Sequence, residues 1–281
     1  NDALWRLVWA GQITNDTFGP LRDLAVPARR GRRGRALTTG GRWSLVKGLV
    51  SSDPSPTRQA VARARLLLDR YGIVSRNAAQ AESLGGGFGP IYKVLRELEE
   101  QGRTRRGYFV DGLEGAQFAY AGAVDRLRDC RDEAEERDNA VTVDEVVTLA
   151  AMDPANPFGS LVPWPEVAEA SRAKPRRVAG AWLLLARGRP VLYVGRRGRS
   201  LITFPATIRD EPGALDAAID ALRRLPQGGR HRMLVIETID GVDAKDSPLA
   251  ARFQGAGFSR DYRGLIDVSL PGQDSARRTG A

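Results

Sequence analysis

Four glycines fill residues 85–89, interrupted only by Phe88, and the stretch they open constrains this chain more than any other. From Phe88 to Gln101 the apolar residues Ile91, Val94, Leu95 and Leu98 recur at helical spacing, with Lys93 and Arg96 on the opposite face. Gly102 supplies a stop. A basic run, Arg103-Thr104-Arg105-Arg106, then leads into a short apolar strand, Tyr108-Phe109-Val110. An amphipathic helix followed at once by a basic β-hairpin is the arrangement of a winged helix. The helix offers side chains to a groove and the hairpin offers charge to phosphates. Tyr92, Lys93, Arg96, Arg103, Arg105, Arg106 and Tyr108 are therefore candidate DNA-binding residues. Arginines beside Tyr108 combine charge with an aromatic face suited to base stacking. A solvated hairpin tip is the competing reading.

The preceding residues supply the rest of such a module. Residues 57–71 alternate Arg with Ala, Val and Leu at helical spacing and end in Leu66-Leu67-Leu68-Asp69-Arg70-Tyr71-Gly72. A short strand or turn at 74–77 and a second helix over 78–84 follow. The winged-helix domain is expected to span 42–120, opened by Gly41–Val46 with Trp43 as a core or docking anchor. Before it, residues 3–10 read as a helix stopped by Gly11. Ile13-Thr14 reads as a brief strand, and Phe18–Leu24 as a second helix with cap candidates at Asn15, Asp16 and Thr17. Residues 1–26 look like the C-terminal part of a preceding small helical, winged-helix module. Residues 27–41, cationic and poor in apolar side chains, read as a flexible basic linker. A start at Asn1, with no Met, suggests a piece of a longer polypeptide.

Downstream, a helix is expected from Ala121 to Arg137 and another over 141–151, with Thr142 and Glu145 at capping-box spacing. The proline-rich segment 152–165, carrying Phe158 and Trp164, completes a spacer over 121–176. From 177 to 271 the pattern turns to strands: 178–186 and 191–194 across the turn Arg187–Pro190, then 201–204, a helix at 212–225, a strand at 233–239, a helix at 247–254 and a strand at 265–270. The fold class is α+β: winged-helix modules followed by a strand-rich, β-barrel-like α+β domain, with a disordered tail over 272–281. Arg196, Arg197 and Arg199, on a glycine-punctuated turn, are candidates for a second phosphate contact, with a plain basic turn as the alternative.

Charge supports a polyanionic partner: 43 basic against 34 acidic residues leave a net +9. Cys130 and His231 are the only residues of their types, which excludes an internal disulfide and a Cys/His zinc site; His231 reads as a surface residue. No phosphate-loop motif occurs, so no ATP is expected to bind this chain. Asp240, Asp243 and Asp246 lack the order of a calcium loop and read as a turn. No catalytic or metal-binding set is assigned. No apolar run reaches membrane-spanning length and no signal peptide is visible, so no membrane partner and a cytoplasmic, nucleoid-associated location are expected.

Particular strings carry a family resemblance. They are Leu4-Trp5-Arg6-Leu7-Val8-Trp9-Ala10-Gly11, Gly40–Val46, Leu67–Gly72, Gly86-Gly87-Phe88, Tyr92–Gly102, Arg105–Val110, Ala116–Ala119, Ala123–Arg128, Val191–Leu201, Ala256-Gly257-Phe258 and Arg263-Gly264-Leu265. Together they resemble the C-terminal region of the bacterial large helicase-related proteins, Lhr. The resemblance implies a DNA-binding and oligomerisation module of an ATP-dependent 3′-to-5′ DNA repair helicase. ATP, Mg²⁺ and ATP hydrolysis would belong to a motor outside this chain, and single-stranded or duplex DNA and a second copy of the protein would be its partners. It also implies an AlkZ-like tandem winged-helix plus β-barrel architecture, and hence the alternative of a DNA glycosylase excising damaged bases or uracil. The segment comparable to the Gln-x-Gln or Gln-x-Asp pair of AlkZ-type enzymes is Gln117-Phe118-Ala119, whose last member departs from that pattern.

Overall fold

The computed structural model describes residues 2–25, 40–50, 55–135, 139–169, 171, 173–225 and 233–268. The basic segment at 27–39, His231 and the tail over 272–281 lie outside the described residues. Two compact units result, residues 1–62 and 63–281.

In the first unit, α1 (Asp2–Trp9), β1 (Ile13–Asn15), α2 (Gly19–Ala25), β2 (Trp43–Leu45) and α3 (Val46–Leu49) follow in order. β1 and β2 pair antiparallel, with Ile13 opposite Leu45 and Asn15 opposite Trp43. Trp43 meets the edge of Trp5 at 6.2 Å, and Trp5 stacks on Trp9 at 5.8 Å. Asp16 fastens the join, accepting from the Arg42 N–H at 2.7 Å. Trp43 is thus an anchor, and its strand packs within the first unit. The physical reason is the strand pairing, which lends the unpaired edge of Ile13–Asn15 a partner.

The second unit begins within α4 (Pro56–Tyr71) and continues with β3 (Ile73–Val74), α5 (Arg76–Ala81), α6 (Phe88–Glu100), β4 (Arg105–Gly107), β5 (Gln117–Ala119) and α7 (Ala121–Glu135). The three strands form one antiparallel sheet in the order β3-β5-β4. Leu67, Leu68, Val74, Ala78, Ala79, Ile91, Leu95 and Phe118 bury together against it. Three helices on a three-stranded hairpin sheet are the winged helix expected from the sequence. The apolar stripe of α6 points inward as its 3.6-residue period requires.

The capping box at Thr142 and Glu145 forms, but it heads a single 3-10 turn, Val143–Glu145, and no helix. Residues 146–150 instead make strand β6 (Val146–Ala150). The β-branched run Val146-Val147-Thr148 favours the extended backbone, and the pairing with β7 (Trp182–Ala186) decides the outcome. β8 (Arg189–Val194), β9 (Ser200–Thr203), α8 (Pro205–Asp210), α9 (Ala214–Leu222), β10 (Met233–Ile236), β11 (Thr238–Ile239), β12 (Val242–Asp243), α10 (Ala250–Gly255), β13 (Ser259–Asp261) and β14 (Gly264–Val268) complete the chain.

The barrel-like expectation is corrected here. The strands form an open six-stranded sheet, β12-β11-β9-β8-β7-β6, and a separate three-stranded sheet, β10-β14-β13. No closed barrel exists among the described residues. The single strand expected over 233–239 breaks at Glu237: Met233–Ile236 pairs with β14, whereas Thr238–Ile239 runs parallel to β9. One chain segment thereby serves two sheets, and no ring closes among the described residues. Alternation explains the apolar density of β7 and β8. Leu184, Leu192 and Val194 pack in the core that holds α9. Leu183, Leu185 and Tyr193 face a second core with Phe158, Trp164 and Phe204. A sheet covered on both faces needs apolar residues at every position.

Candidate nucleic-acid interface

The helix-to-wing junction is built from backbone hydrogen bonds. Gly102, at φ +68°, ends α6 in the left-handed region. Its N–H donates to the Glu99 carbonyl at 2.8 Å, and the Arg103 N–H donates to the Leu98 carbonyl at 2.8 Å. This pair of bonds is a Schellman cap, and it turns the chain straight from helix into wing. Thr104 is buried, its hydroxyl donating to the Leu95 carbonyl at 3.3 Å. That inward anchor sends the flanking residues Arg103 and Arg105 outward, where both are exposed. β4 then pairs with β5, Arg106 opposite Phe118 and Gly107 opposite Gln117. A side chain at Gly107 would press on the Phe109 ring, which lies back across the strand.

The return of the wing is held by Gln117, a fully buried amide. Its Oε1 accepts from the Phe109 N–H at 2.9 Å and the Val110 N–H at 2.8 Å. Its Nε2 donates to the carbonyls of Val110 at 2.9 Å and Leu113 at 3.3 Å. Both ends of the amide are fully engaged with backbone. The Gln117-Phe118-Ala119 segment is thus strand β5 of the wing sheet, with its glutamine acting as a brace. No sequence signal distinguishes a bracing glutamine from a reactive one.

The outer surface of this frame carries the expected residues. Tyr108 is 86% exposed, the most exposed large aromatic side chain among the described residues. Lys93 and Arg96 lie exposed on α6, with Arg96 in an i,i+4 pair with Glu100 at 3.5 Å. Arg106 pairs with Glu99 at 3.4 Å, tying wing to helix. Among the described residues Lys93, Arg103 and Arg105 form no ion pair. Tyr92 is placed differently from the expectation. It is half-buried, edge-on to Phe118 at 5.5 Å and to Phe88 at 5.9 Å, so most of its ring belongs to the core. Its remaining surface lines a groove of about 610 Å³ with Arg76, Gln80, Phe88, Glu114 and Ala116.

Neighbouring titratable groups are fixed by local contacts. Tyr71 and Arg70 both donate to Glu82 and hold its carboxyl below the usual range. Burial pushes the Tyr120 hydroxyl up, reinforced by Asp69, while Arg103 acts in the opposite direction.

The second basic turn lies between β8 and β9. Arg196 and Arg197 are exposed, and Arg197 sits at φ +65°. Arg199 pairs with Glu237 at 2.9 Å. A third exposed basic site, the β13–β14 hairpin, was not singled out: the strand expected at 265–270 is β14, but its partner β13 is only 3 residues long. Among the described residues no cluster of His, Cys, Asp and Glu is arranged to hold a metal, and no helix is long and apolar enough to cross a membrane.

Residues 53–139 match the family model described as large helicase-related protein, winged-helix domain. A protein of Mycolicibacterium smegmatis named Lhr helicase/probable uracil glycosylase is 41% identical over 294 aligned positions, which cover 94% of this chain and 19% of that protein. A protein of Escherichia coli named Lhr helicase/uracil glycosylase is 36% identical over 291 positions, covering 94% of this chain and 18% of that protein. The chain is thus similar to a small part of each relative.

Proposed function

With residues 53–139 carrying the winged-helix domain of the large helicase-related proteins, we propose that this chain is a DNA-binding module of a helicase of that kind. The observation that carries the proposal is the wing: a braced hairpin presenting exposed Arg103, Arg105 and Tyr108, with Lys93 exposed on α6, the helix that leads into it. Arginines free of carboxylate partners neutralise phosphates and release counterions, a contact that positions DNA without reading its sequence. Arg196 and Arg197 extend the proposal to a second phosphate contact. The 281 residues hold no phosphate-loop motif, so ATP, Mg²⁺ and the motor are assigned to sequence outside them. Titration of single-stranded and duplex DNA at two salt concentrations tests the reading. Binding that strengthens steeply as salt falls supports it, and absence of binding at low salt defeats it.

A second reading rests on the names of both relatives, which join helicase to uracil glycosylase. Strand cleavage of a uracil-containing duplex after alkali, by this chain alone, would establish it. The engagement of Gln117 with the wing backbone favours the binding module, because that amide has no donor or acceptor left for a substrate.

A further inference from the structure

Tyr108 has one counterpart. Tyr262, at the tip of the β13–β14 hairpin, is 81% exposed, second only to Tyr108 among the large apolar side chains of the described residues, with Phe18 next at 73%. A rigid hairpin that holds an aromatic ring in water loses apolar burial, so its stiffness is informative. The tip is fixed from several sides. Asp261 Oδ1 accepts from the Arg263 N–H at 3.0 Å, and Lys245 Nζ donates to the Tyr262 carbonyl at 3.2 Å. Gly264, at φ +138°, lies hard against the Ile236 carbonyl, where any larger residue would clash. The Arg263 guanidinium sits 5.2 Å from the Tyr262 ring centroid. One cation thus orients the ring, and with most of its surface in water the ring keeps a face for a flat partner.

We propose that Tyr262 is a stacking platform for an unpaired base of single-stranded nucleic acid, with Arg263 and Arg260 beside it for the adjoining phosphates. The proposal rests on the reading that this chain engages nucleic acid. Charge alone would not mark the site, because Asp261 pairs with Arg263 and Asp243 with Lys245, both at 3.6 Å. Arg260 is exposed and forms no ion pair among the described residues. The hairpin therefore contributes stacking more than counterion release, and stacking requires a base free of its duplex. This distinguishes it from the wing, whose arginines act on phosphates of either DNA form.

The test uses the 281-residue protein, an oligothymidylate and a blunt mixed-sequence duplex. Tyr262→Ala is expected to weaken oligothymidylate binding about fivefold or more, with little change in its salt slope and none in duplex affinity. Tyr262→Phe, which keeps the ring, should bind as the parent does. Irradiation of a 5-iodouracil oligonucleotide should cross-link to Tyr262, mapped by mass spectrometry. Unchanged oligothymidylate affinity in Tyr262→Ala, with no cross-link, overturns the proposal and leaves the wing reading intact. Equal losses on duplex and single strand overturn it as well, since they mark a phosphate contact. A changed sedimentation coefficient with DNA affinity unaltered would assign the hairpin to a protein interface instead. Failure of the parent protein to bind any DNA defeats the underlying reading, not this step alone.

Discussion

Gln117 and Val110 exchange two hydrogen bonds, the side-chain amide of one taking the place of a neighbouring strand's peptide for the other: Oε1 accepts the Val110 N–H at 2.8 Å and Nε2 donates to the Val110 carbonyl at 2.9 Å. The wing leaves the β4–β5 ladder after Gly107, so its return has no backbone partner there. A buried side chain supplies one.

Removing that side chain should loosen the wing. Gln117→Ala strands the N–H groups of Phe109 and Val110, and the expected cost is about 1–3 kcal/mol. Amide exchange at those two positions should accelerate while exchange in α6 stays slow. Unchanged protection at Phe109 and Val110 would contradict the bracing role.

Arg187 is a larger structural commitment. Its side chain is 6% exposed and reaches Glu145 at 3.3 Å and Glu211 at 3.2 Å. It also donates to the carbonyl and Oδ1 of Asn139, at 3.0 and 2.9 Å. Its backbone sits at φ +49°, which most side chains disfavour. Arg187→Ala removes the buried cation that Glu145 and Glu211 share, while Arg189 stays on Glu211 at 3.4 Å, and should cost about 3 kcal/mol. Denaturant unfolding measures the loss; a midpoint shift near zero would refute it.

Glu145 also sets an acid sensitivity. The Thr142 N–H, then the Thr142 hydroxyl and Arg187, hold its carboxyl below the ordinary value, against the opposing effect of burial. A lowered value in the folded state means the ionised form is the one folding favours. That stabilisation is complete at neutral pH and is lost as pH falls below about 5, through the folded value. Glu145→Gln should lower the urea midpoint at pH 7 and flatten its decline under acid. An acid decline as steep as the parent's would rule out this contribution.

What the sequence disclosed follows from the range of the interactions involved. The stripe Ile91, Val94, Leu95, Leu98 and the stop at Gly102 are local, and α6 and its cap lie where that pattern puts them. Lys93, Arg103 and Arg105 are exposed because nothing apolar draws them inward. Tyr92 was read as a DNA contact, and an aromatic at helical spacing gives no local sign that Phe118, 26 positions away, draws much of its ring into the core. The helix expected over 141–151 failed for a related reason. Its cap was real, but the pairing of Val146 with Ala186 lies outside any local window. The barrel-like closure failed at Glu237, where the N–H groups of Glu237 and Thr238 both turn to the Arg199 carbonyl, at 2.7 and 3.1 Å.

Glu99 should restrain DNA binding. Its pairing with Arg106 engages one of the three wing arginines. Glu99→Gln removes the competing charge and should tighten binding modestly to any DNA sequence, with a salt slope steeper by up to about one. Weaker binding by this variant would show that the pair positions the wing and does not compete with phosphate.

The account stands or falls on the wing arginines as phosphate contacts, and salt dependence reads that directly. Affinity for two unrelated DNA sequences should be measured across a salt series with the parent protein and with Arg103, Arg105 and Arg106 all changed to Ala. The predicted result is a loss alike on both sequences, with the log-log salt slope shallower by about two to three. An unchanged slope and affinity, with the fold intact by circular dichroism, would contradict the claim that this wing holds DNA.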